Sequence, residues 1–178
     1  MGHTNPKAKA PQKSEKVVLQ HGVPVIFSIG YEGRTLDSFI ALLKAAHIER
    51  LIDIRDAPFS RKPGFSKKPL AEALKGASIE YVGIPELGTD KASRDSHRTD
   101  SSIEPVLEEF RSKLGRNGEQ YERLKRLARE RVSAIMCFEA EAKNCHRQVI
   151  EGRMEAEGFR VIHLGGGGQE KLEDFERR

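Results

Sequence analysis

Five short apolar runs alternate with amphipathic stretches along this chain, and this alternation limits the fold more than any other feature. The runs are rich in β-branched residues and have the lengths of buried strands. They cover residues 23–29, 51–54, 79–84, 132–138 and 159–164. Parallel neighbours in a sheet need a crossover connection, which is usually a helix. The sequence therefore predicts an α/β fold: a single Rossmann-like domain with a mostly parallel sheet of about five strands and helices on both faces.

Helix signals fall between these runs. Thr35 is placed to cap a helix whose apolar residues recur three and four positions apart. Ser66 is placed to open a second helix with Pro69 in its first turn. Two more helices are predicted near residues 102–114 and 118–130. Each predicted helix follows a predicted strand or another helix, as a layered α/β domain requires.

The chain has 178 residues, which is the size of one domain. We expect the domain over residues 23–164, a disordered basic arm at 1–22, and a flexible Gly-rich, charged tail at 165–178. The formal net charge is +4, and the arm alone holds four lysines against one glutamate. Because the excess charge lies mostly in the arm, it is weak evidence for nucleic-acid binding by the domain.

Several classes of protein are not expected from this sequence. It has no apolar run long enough to cross a membrane, no secretory signal and too few cysteines for a disulfide framework. We therefore expect a cytoplasmic protein with free thiols and no membrane partner. Phosphate-binding loops of the Gly-x-x-x-x-Gly-Lys-Ser/Thr and Gly-x-Gly-x-x-Gly types are absent, and no cofactor is predicted.

Charged and aromatic side chains follow the predicted strands at their carboxyl ends. Tyr31 and Arg34 follow the first run, Asp53 and Arg55 lie at the end of the second, and Glu139 follows the fourth. Ligands of open parallel sheets bind outside these ends, so we expect the side chains to share one rim. Together with Arg147, Tyr31, Arg34, Asp53 and Arg55 are candidate substrate-binding residues. A carboxylate inside an apolar strand more often pairs with an arginine than takes part in catalysis. Pairing is therefore the simpler interpretation of Asp53.

The segment after the fourth run contains the most reactive groups. If Asn144 caps a helix over residues 144–158, then Cys145, His146 and Arg147 occupy its first turn. Free N–H groups and the helix dipole favour a negative charge there, so a thiol ionises more easily and becomes a candidate nucleophile. The same donors could instead hold an anionic ligand through Arg147, with Cys145 as a packing residue.

Two further residues of this segment bear on its chemistry. Glu139 can act as a general base or hold an arginine, so it joins Cys145 and His146 as a catalytic candidate. Cys137 lies inside the apolar run and is expected to pack in the core. Two thiols and an imidazole could bind a metal ion, with His163 or Glu139 as a fourth ligand. However, the seven residues between the cysteines are unlike the short pairs of structural zinc sites, so no metal site is predicted.

The loop over residues 55–68 combines five lysines and arginines with Phe59 and Phe65. Cations suit phosphates and aromatic rings suit stacked bases, so the loop could recognise nucleic acid. The two phenylalanines could equally anchor the loop on the core. The polar stretch 85–101 is longer than most connections in compact domains, which is typical of a lid, a binding loop or a disordered segment.

Several short motifs occur in a fixed order along the chain. They are Ser-Ile-Gly-Tyr-Glu-Gly-Arg at 28–34, Asp-Ile-Arg at 53–55, Arg-Lys-Pro-Gly-Phe-Ser at 61–66, Tyr81, Leu-Gly at 87–88, Cys-Phe-Glu-Ala at 137–140, Cys-His-Arg at 145–147 and His163. With these motifs the sequence resembles, over residues 25–164, the bacterial and archaeal family named domain of unknown function 488. The resemblance implies an α/β fold of Rossmann-like layering with polar positions at the strand ends. It implies no reaction.

Two functions are compatible with these features. The leading hypothesis is a Cys- or carboxylate-dependent hydrolase or transferase that acts on a phosphorylated or nucleic-acid-derived substrate at the carboxyl edge of the sheet. In it Cys145 or Glu139 does covalent or proton-transfer work, and Arg55 and Arg147 hold the negative charge. The alternative is a non-catalytic nucleic-acid-binding module that uses the loop 55–68. The expected partner is thus an anionic small molecule or a nucleic acid.

Overall fold

The computed structural model describes residues 19–20, 22–90 and 103–165. Nearly all of the predicted arm at 1–22 and of the tail at 165–178 lies outside these residues, as does most of the polar stretch 85–101. In chain order the elements are β1 (Leu19–Gln20), β2 (Val23–Gly30), α1 (Leu36–Ala45), β3 (Arg50–Asp53), α2 (Lys67–Gly76), β4 (Glu80–Gly83), α3 (Glu104–Arg116), α4 (Gly118–Glu130), β5 (Ser133–Cys137), α5 (Arg147–Ala156) and β6 (Arg160–His163). Strands and helices therefore alternate as the apolar runs predict.

Five of the strands form a parallel sheet in the order β6-β2-β5-β3-β4. The short β1 pairs antiparallel with the start of β2. Every parallel pairing joins strands that a helix-bearing connection separates in sequence, as parallel neighbours require. The predicted α/β class with a parallel sheet of about five strands is confirmed.

Helices cover both faces of this sheet. Phe39 of α1 and Leu70 of α2 pack in one core cluster with Phe27 and Ile29 of β2. The other cluster contains Ile26 of β2 together with apolar residues of α3, α4 and α5. Successive residues of a strand point to opposite faces, so β2 supplies both cores and reads as a continuous apolar run. None of the described helices is long and apolar enough to cross a membrane.

The predicted starts of the first two helices are confirmed, although only one serine or threonine acts as a cap. Thr35 accepts a hydrogen bond from the backbone N–H of Ser38 at 3.2 Å. Ser66 precedes α2 but makes no capping bond. Its hydroxyl accepts from the N–H of Ser60 and donates to the carbonyl of the same residue, both at 3.1 Å. Ser66 therefore closes the loop between β3 and α2.

The predicted N-cap at Asn144 is wrong. Asn144 ends a short 3₁₀ turn, Ala142–Asn144, and α5 begins only at Arg147. Between them Cys145 is extended, with φ −138° and ψ 148°, because its N–H closes the 3₁₀ turn on the carbonyl of Ala142 at 2.9 Å. The thiol nevertheless lies at the helix start, where its sulfur accepts the N–H of Arg147 at 3.5 Å.

The strand order places a crevice between β3 and β5. The chain leaves β3 toward the outer strand β4, but it leaves β5 in the opposite direction, across β2, toward β6. The connections that leave these two adjacent strands run in opposite directions, which opens a crevice at the carboxyl ends of the strands. Open α/β sheets bind their ligands in such a crevice. Ligand-binding side chains are therefore expected among the residues that follow β3 and β5.

Candidate functional site

A cleft of about 600 Å³ lies at this edge of the sheet. Its floor includes Cys137, Glu139 and His146, which come from the end of β5 and the start of α5. The basic loop 55–68 forms a wall, with Phe59 and Arg61 among its lining residues. The predicted convergence of these groups on one rim is thus observed for the residues that follow β3 and β5.

The floor is held in place by close packing on the end of β2. The N–H of Tyr31 donates to the carbonyl of Cys137 at 3.3 Å, and that of Glu32 donates to Phe138 at 2.8 Å. A Cβ atom at Gly30 would lie 1.7 Å from the carbonyl oxygen of Glu139. Only glycine lets the segment after β5 approach β2 this closely, and this approach fixes the position of Glu139.

We expect Gly30→Ala to destabilise the fold, because the added methyl group must displace the backbone at Glu139. Overpacking of this kind costs about 1–3 kcal/mol in the free energy of unfolding. The matched control is Gly152→Ala inside α5, where a Cβ atom would meet nothing within 4 Å. That change should stabilise the chain by about 0.5–1 kcal/mol, since alanine favours the helix. Urea denaturation of both variants tests the expectation, and a Gly30→Ala variant as stable as the wild type would contradict it.

Arg55 is held in a buried network at the wall of the cleft. Its Nε and Nη2 donate to the two carboxylate oxygens of Asp53 at 2.9 and 2.6 Å. Its Nη1 donates to the hydroxyl of Tyr31 at 3.0 Å and to the carbonyl of Phe65 at 2.9 Å. Tyr81 donates to Asp53 at 2.7 Å. The expected pairing of Asp53 with an arginine is therefore observed, and Asp53 itself does not line the cleft.

Arg147 lies beneath the floor and not in the cleft. It is only 1% exposed, and its guanidinium donates to the hydroxyl of Ser28 at 3.0 Å and to the carbonyl of Glu139 at 2.6 Å. Ser28 in turn donates to Glu151 at 2.5 Å. Arg147 therefore braces the Glu139 backbone and adds a buried positive charge next to the thiols.

Arg34 is not brought to the cleft either. Its guanidinium donates to the carbonyls of Gly30 at 3.1 Å and Gly165 at 2.5 Å, and so joins the ends of β2 and β6. It lines a separate depression with Thr35 and Pro63. Of the five predicted substrate-binding residues, Tyr31 and Arg55 line the cleft, whereas Arg34, Asp53 and Arg147 do not.

Both cysteines are free thiols, as expected, and both are buried beside His146. The Nδ1 atom of His146 lies 4.0 Å from the sulfur of Cys137 and 3.7 Å from that of Cys145. The ring of Phe110 packs edge-on against the imidazole at 4.8 Å. Cys137 lines the cleft, so it does more than fill the core; Cys145 is 2% exposed and does not line the cleft.

The electrostatics of the floor follow from this crowding. Burial, reinforced by the neighbouring Cys145, raises the pKa of Glu139 to about 7. Burial alone would raise the pKa of Cys145, but the hydrogen bond from Cys137 and the nearby His146 and Arg147 outweigh it and hold that pKa well below its usual value. The Oε2 atom of Glu139 is buried without a hydrogen-bond partner among the described residues. A buried polar atom without a partner is costly, so it requires an explanation.

Sequence reasoning missed two residues of the cleft. Phe138 is 43% exposed at the rim and meets the ring of Tyr31 edge-on at 5.3 Å. Thr89 enters the lining from the segment after β4. The available signal for Phe138 was its place at the end of the apolar run 132–138, beside the carboxyl end of β5, where open sheets bind ligands. Thr89 belongs to the polar stretch 85–101, whose length is typical of a binding loop, but nothing in the sequence distinguished it within that stretch.

The fold and the cleft define a doubly wound α/β protein with a polar site at the crevice of its sheet. Comparison with protein families refines this class: residues 35–154 match the model of the family described as Domain of unknown function DUF488. The chain belongs to this family, as the motifs indicated. Searches among curated proteins and among solved structures gave no match. The match includes Arg55, Glu139 and His146 of the cleft, and Tyr31 lies just before it.

Proposed function

We propose that this protein is an enzyme that acts on a phosphorylated or nucleic-acid-derived substrate in the cleft, with Glu139 as the group that transfers a proton. The observation that carries the proposal is the Oε2 atom of Glu139, which is buried without a partner on the floor of an open cleft. Desolvating a carboxylate oxygen without a hydrogen bond disfavours the folded state, so a fold that keeps it is consistent with a use for it. A bound substrate can supply the missing partner.

The walls of the cleft suit a substrate with negative charge. Arg55, Arg61 and Lys62 line it, and its acidic lining residues are Asp56 and Glu139. Lys62 uses one of its donors on the carbonyl of Tyr31 at 3.1 Å, which holds its ammonium group at the rim. Ammonium and guanidinium groups are the usual partners of phosphate oxygens. The exposed rings of Phe59 and Phe138 can stack on a base.

Proton transfer by Glu139 fits this geometry better than nucleophilic attack by Cys145. Cys145 is buried and does not line the cleft, whereas Glu139 does. In a hydrolysis or transfer reaction, Glu139 accepts the proton of the attacking water or hydroxyl group as its oxygen bonds to phosphorus. The same carboxyl group returns the proton to the leaving oxygen when the old bond breaks. The cations of the wall hold the other phosphate oxygens.

A substrate screen with the purified full chain tests the proposal. It includes p-nitrophenyl phosphate, bis(p-nitrophenyl) phosphate, the nucleoside monophosphates and short single strands of RNA and DNA. We expect turnover of at least one of these compounds, and inhibition of that turnover by inorganic phosphate. A chain that turns over none of them and binds neither phosphate nor a nucleotide would contradict the proposal.

One observation favours a second candidate function, a non-catalytic nucleic-acid-binding module. The side chain of Phe59 is 76% exposed at the cleft, beside Arg61 and Lys62 in the basic loop. A large ring left in solvent next to cations is typical of proteins that stack single-stranded bases. This module would bind through phosphates and therefore depend steeply on salt.

For this candidate we expect Phe59→Ala to weaken binding of a fluorescent single-stranded oligonucleotide by about 5- to 150-fold, since one stacked base contributes about 1–3 kcal/mol. Val23→Ala is the control, because Val23 is another exposed apolar residue but lies at the opposite end of β2. Fluorescence anisotropy at several salt concentrations measures both affinities. Binding that is insensitive to salt, or equal in both variants, would argue against the module.

A further inference from the structure

We propose that Cys137, Cys145 and His146 bind one divalent transition-metal ion, and that Zn²⁺ fits this ligand set best. The two sulfur atoms and the imidazole Nδ1 atom all lie within 4.8 Å of one another. Zinc bonds of about 2.3 Å to sulfur and about 2.0–2.1 Å to nitrogen place tetrahedral ligand atoms roughly 3.5–3.8 Å apart. The separations of 3.7 and 4.0 Å between the sulfurs and Nδ1 are close to these values. Small side-chain movements would complete the site.

Two separate elements build this site, so the seven-residue spacing of the cysteines does not argue against it. Cys137 is the last residue of β5, and Cys145 and His146 directly precede α5. The 3₁₀ turn Ala142–Asn144 brings the chain back so that the second thiol meets the first. Short Cys-x2-Cys pairs are needed only where one turn supplies both ligands, and here a strand end and a helix start supply one each.

The groups around Cys145 stabilise negative charge on its sulfur. The backbone N–H of Arg147 points at the sulfur of Cys145, and N–H groups that donate to a bound sulfur are common around metal sites. The buried guanidinium of Arg147 lies below the same group and offsets negative charge. Phe110 packs against the imidazole and fixes the plane of its ring. Ordinary core cysteines pack among apolar groups, whereas these two share an imidazole and a cation.

The ligand set also indicates the kind of ion and of site. Thiolate and imidazole ligands select zinc and related transition metals over magnesium and calcium, which prefer oxygen. Three protein ligands leave a fourth position, as in catalytic zinc sites. Cys137 and His146 both line the cleft, so that position is accessible from the side on which Glu139 lies. The inference concerns metal binding alone and holds whether or not the cleft is catalytic.

Cobalt binding by the full chain tests the inference without any activity measurement. The protein is stripped with a chelator, kept reduced and titrated with Co²⁺, whose bonds to thiolates give a charge-transfer absorption in the near ultraviolet. We expect this absorption to saturate at one equivalent and to vanish when Zn²⁺ is added. A wild-type chain that is folded and reduced but gives no such absorption would overturn the inference.

Variants then identify the ligands. Cys145→Ser and His146→Asn should each lose the absorption or need far more Co²⁺ to develop it. His47→Asn is the matched control and should behave as wild type, because His47 is exposed, far from the cysteines in sequence, and has a positive φ of 52° that asparagine tolerates. Zn²⁺ should also raise the thermal midpoint of the wild type and of His47→Asn, but not that of Cys145→Ser. An absorption that survives in both ligand variants would show that the metal binds elsewhere, which would contradict the proposed site. If either variant fails to fold, the titration of the wild-type chain decides the question.

Discussion

Glu139→Gln lowers kcat for the best compound of the substrate screen by about 10²- to 10⁴-fold, which is the usual contribution of a positioned acid-base group. Glutamine has the shape of glutamate and can still accept a hydrogen bond, but it cannot take up a proton at neutral pH. On the proposed function KM should change little, because the cations of the wall would supply most of the contacts to the substrate. Steady-state kinetics of the purified variant measure both constants.

The control for this prediction comes from the same loop. Glu141 follows Glu139 by two residues but is exposed and pairs with Lys143 at 2.7 Å, so Glu141→Gln should leave kcat within about twofold of wild type. Glu139→Gln should not lower the thermal midpoint, because it replaces a buried carboxyl oxygen that has no partner. A Glu139→Gln variant with the kcat of the wild type would contradict the proposed role of Glu139. So would a variant whose loss of activity is explained by unfolding alone.

Asp53→Ala should lower the free energy of unfolding by about 3–5 kcal/mol, the cost of orphaning a buried ion-pair partner. Asp53 is 1% exposed and accepts two hydrogen bonds from the side chain of Arg55, which is itself 5% exposed. Without the carboxylate, the guanidinium stays buried with its charge uncompensated, and the hydroxyl of Tyr81 loses its acceptor. Urea denaturation followed by circular dichroism gives the value.

Two comparisons separate this effect from the loss of any carboxylate. Asp37→Ala removes an exposed aspartate from the first turn of α1 and should cost at most about 1 kcal/mol. The double variant Asp53→Ala/Arg55→Met should recover part of the loss, since the cost arises from the orphaned charge and not from the missing contact. If the free energy of unfolding of Asp53→Ala lies within about 1 kcal/mol of the wild-type value, the Asp53–Arg55 pair does not stabilise this edge of the sheet.

The elements of the fold were predictable because their signals are local. Apolar runs with β-branched residues and helix-period stripes depend on neighbours within a few positions, and these placed all five parallel strands within about two residues. The strand order was not predictable, because it depends on the direction in which each crossover turns. The crevice between β3 and β5 therefore had to be observed.

The site was predictable only in part, for a related reason. A sequence tells which residue follows a strand, so Tyr31, Arg55 and Glu139 were correctly expected at the rim that forms the cleft. It does not tell where a long side chain finds its partners. Arg147 turns under the floor because Ser28, 119 positions away, offers it an acceptor there.

The cluster of Cys137, Cys145 and His146 shows the same limit at shorter range. The spacing of Cys137 and Cys145 argued against a shared ion, because sequence distance was taken as distance in space. An extended residue after a 3₁₀ turn brings the two sulfurs and the imidazole together. The helix start at Asn144 was misplaced for the same reason. Asn144 is a good capping residue, but it lies three positions before Arg147, the first residue of α5, and the sequence did not predict the 3₁₀ turn that ends at Asn144.

Amide chemical shifts of a ¹⁵N-labelled chain report whether an anionic ligand binds in the proposed cleft at the ends of β3 and β5. On titration with adenosine monophosphate, we predict shifts confined to the loop 55–68 and to residues 137–140. The depression between α3 and α5, lined by Arg111 and Arg153, offers cations away from this edge. Shifts centred there, or no shifts at millimolar nucleotide, would contradict the account.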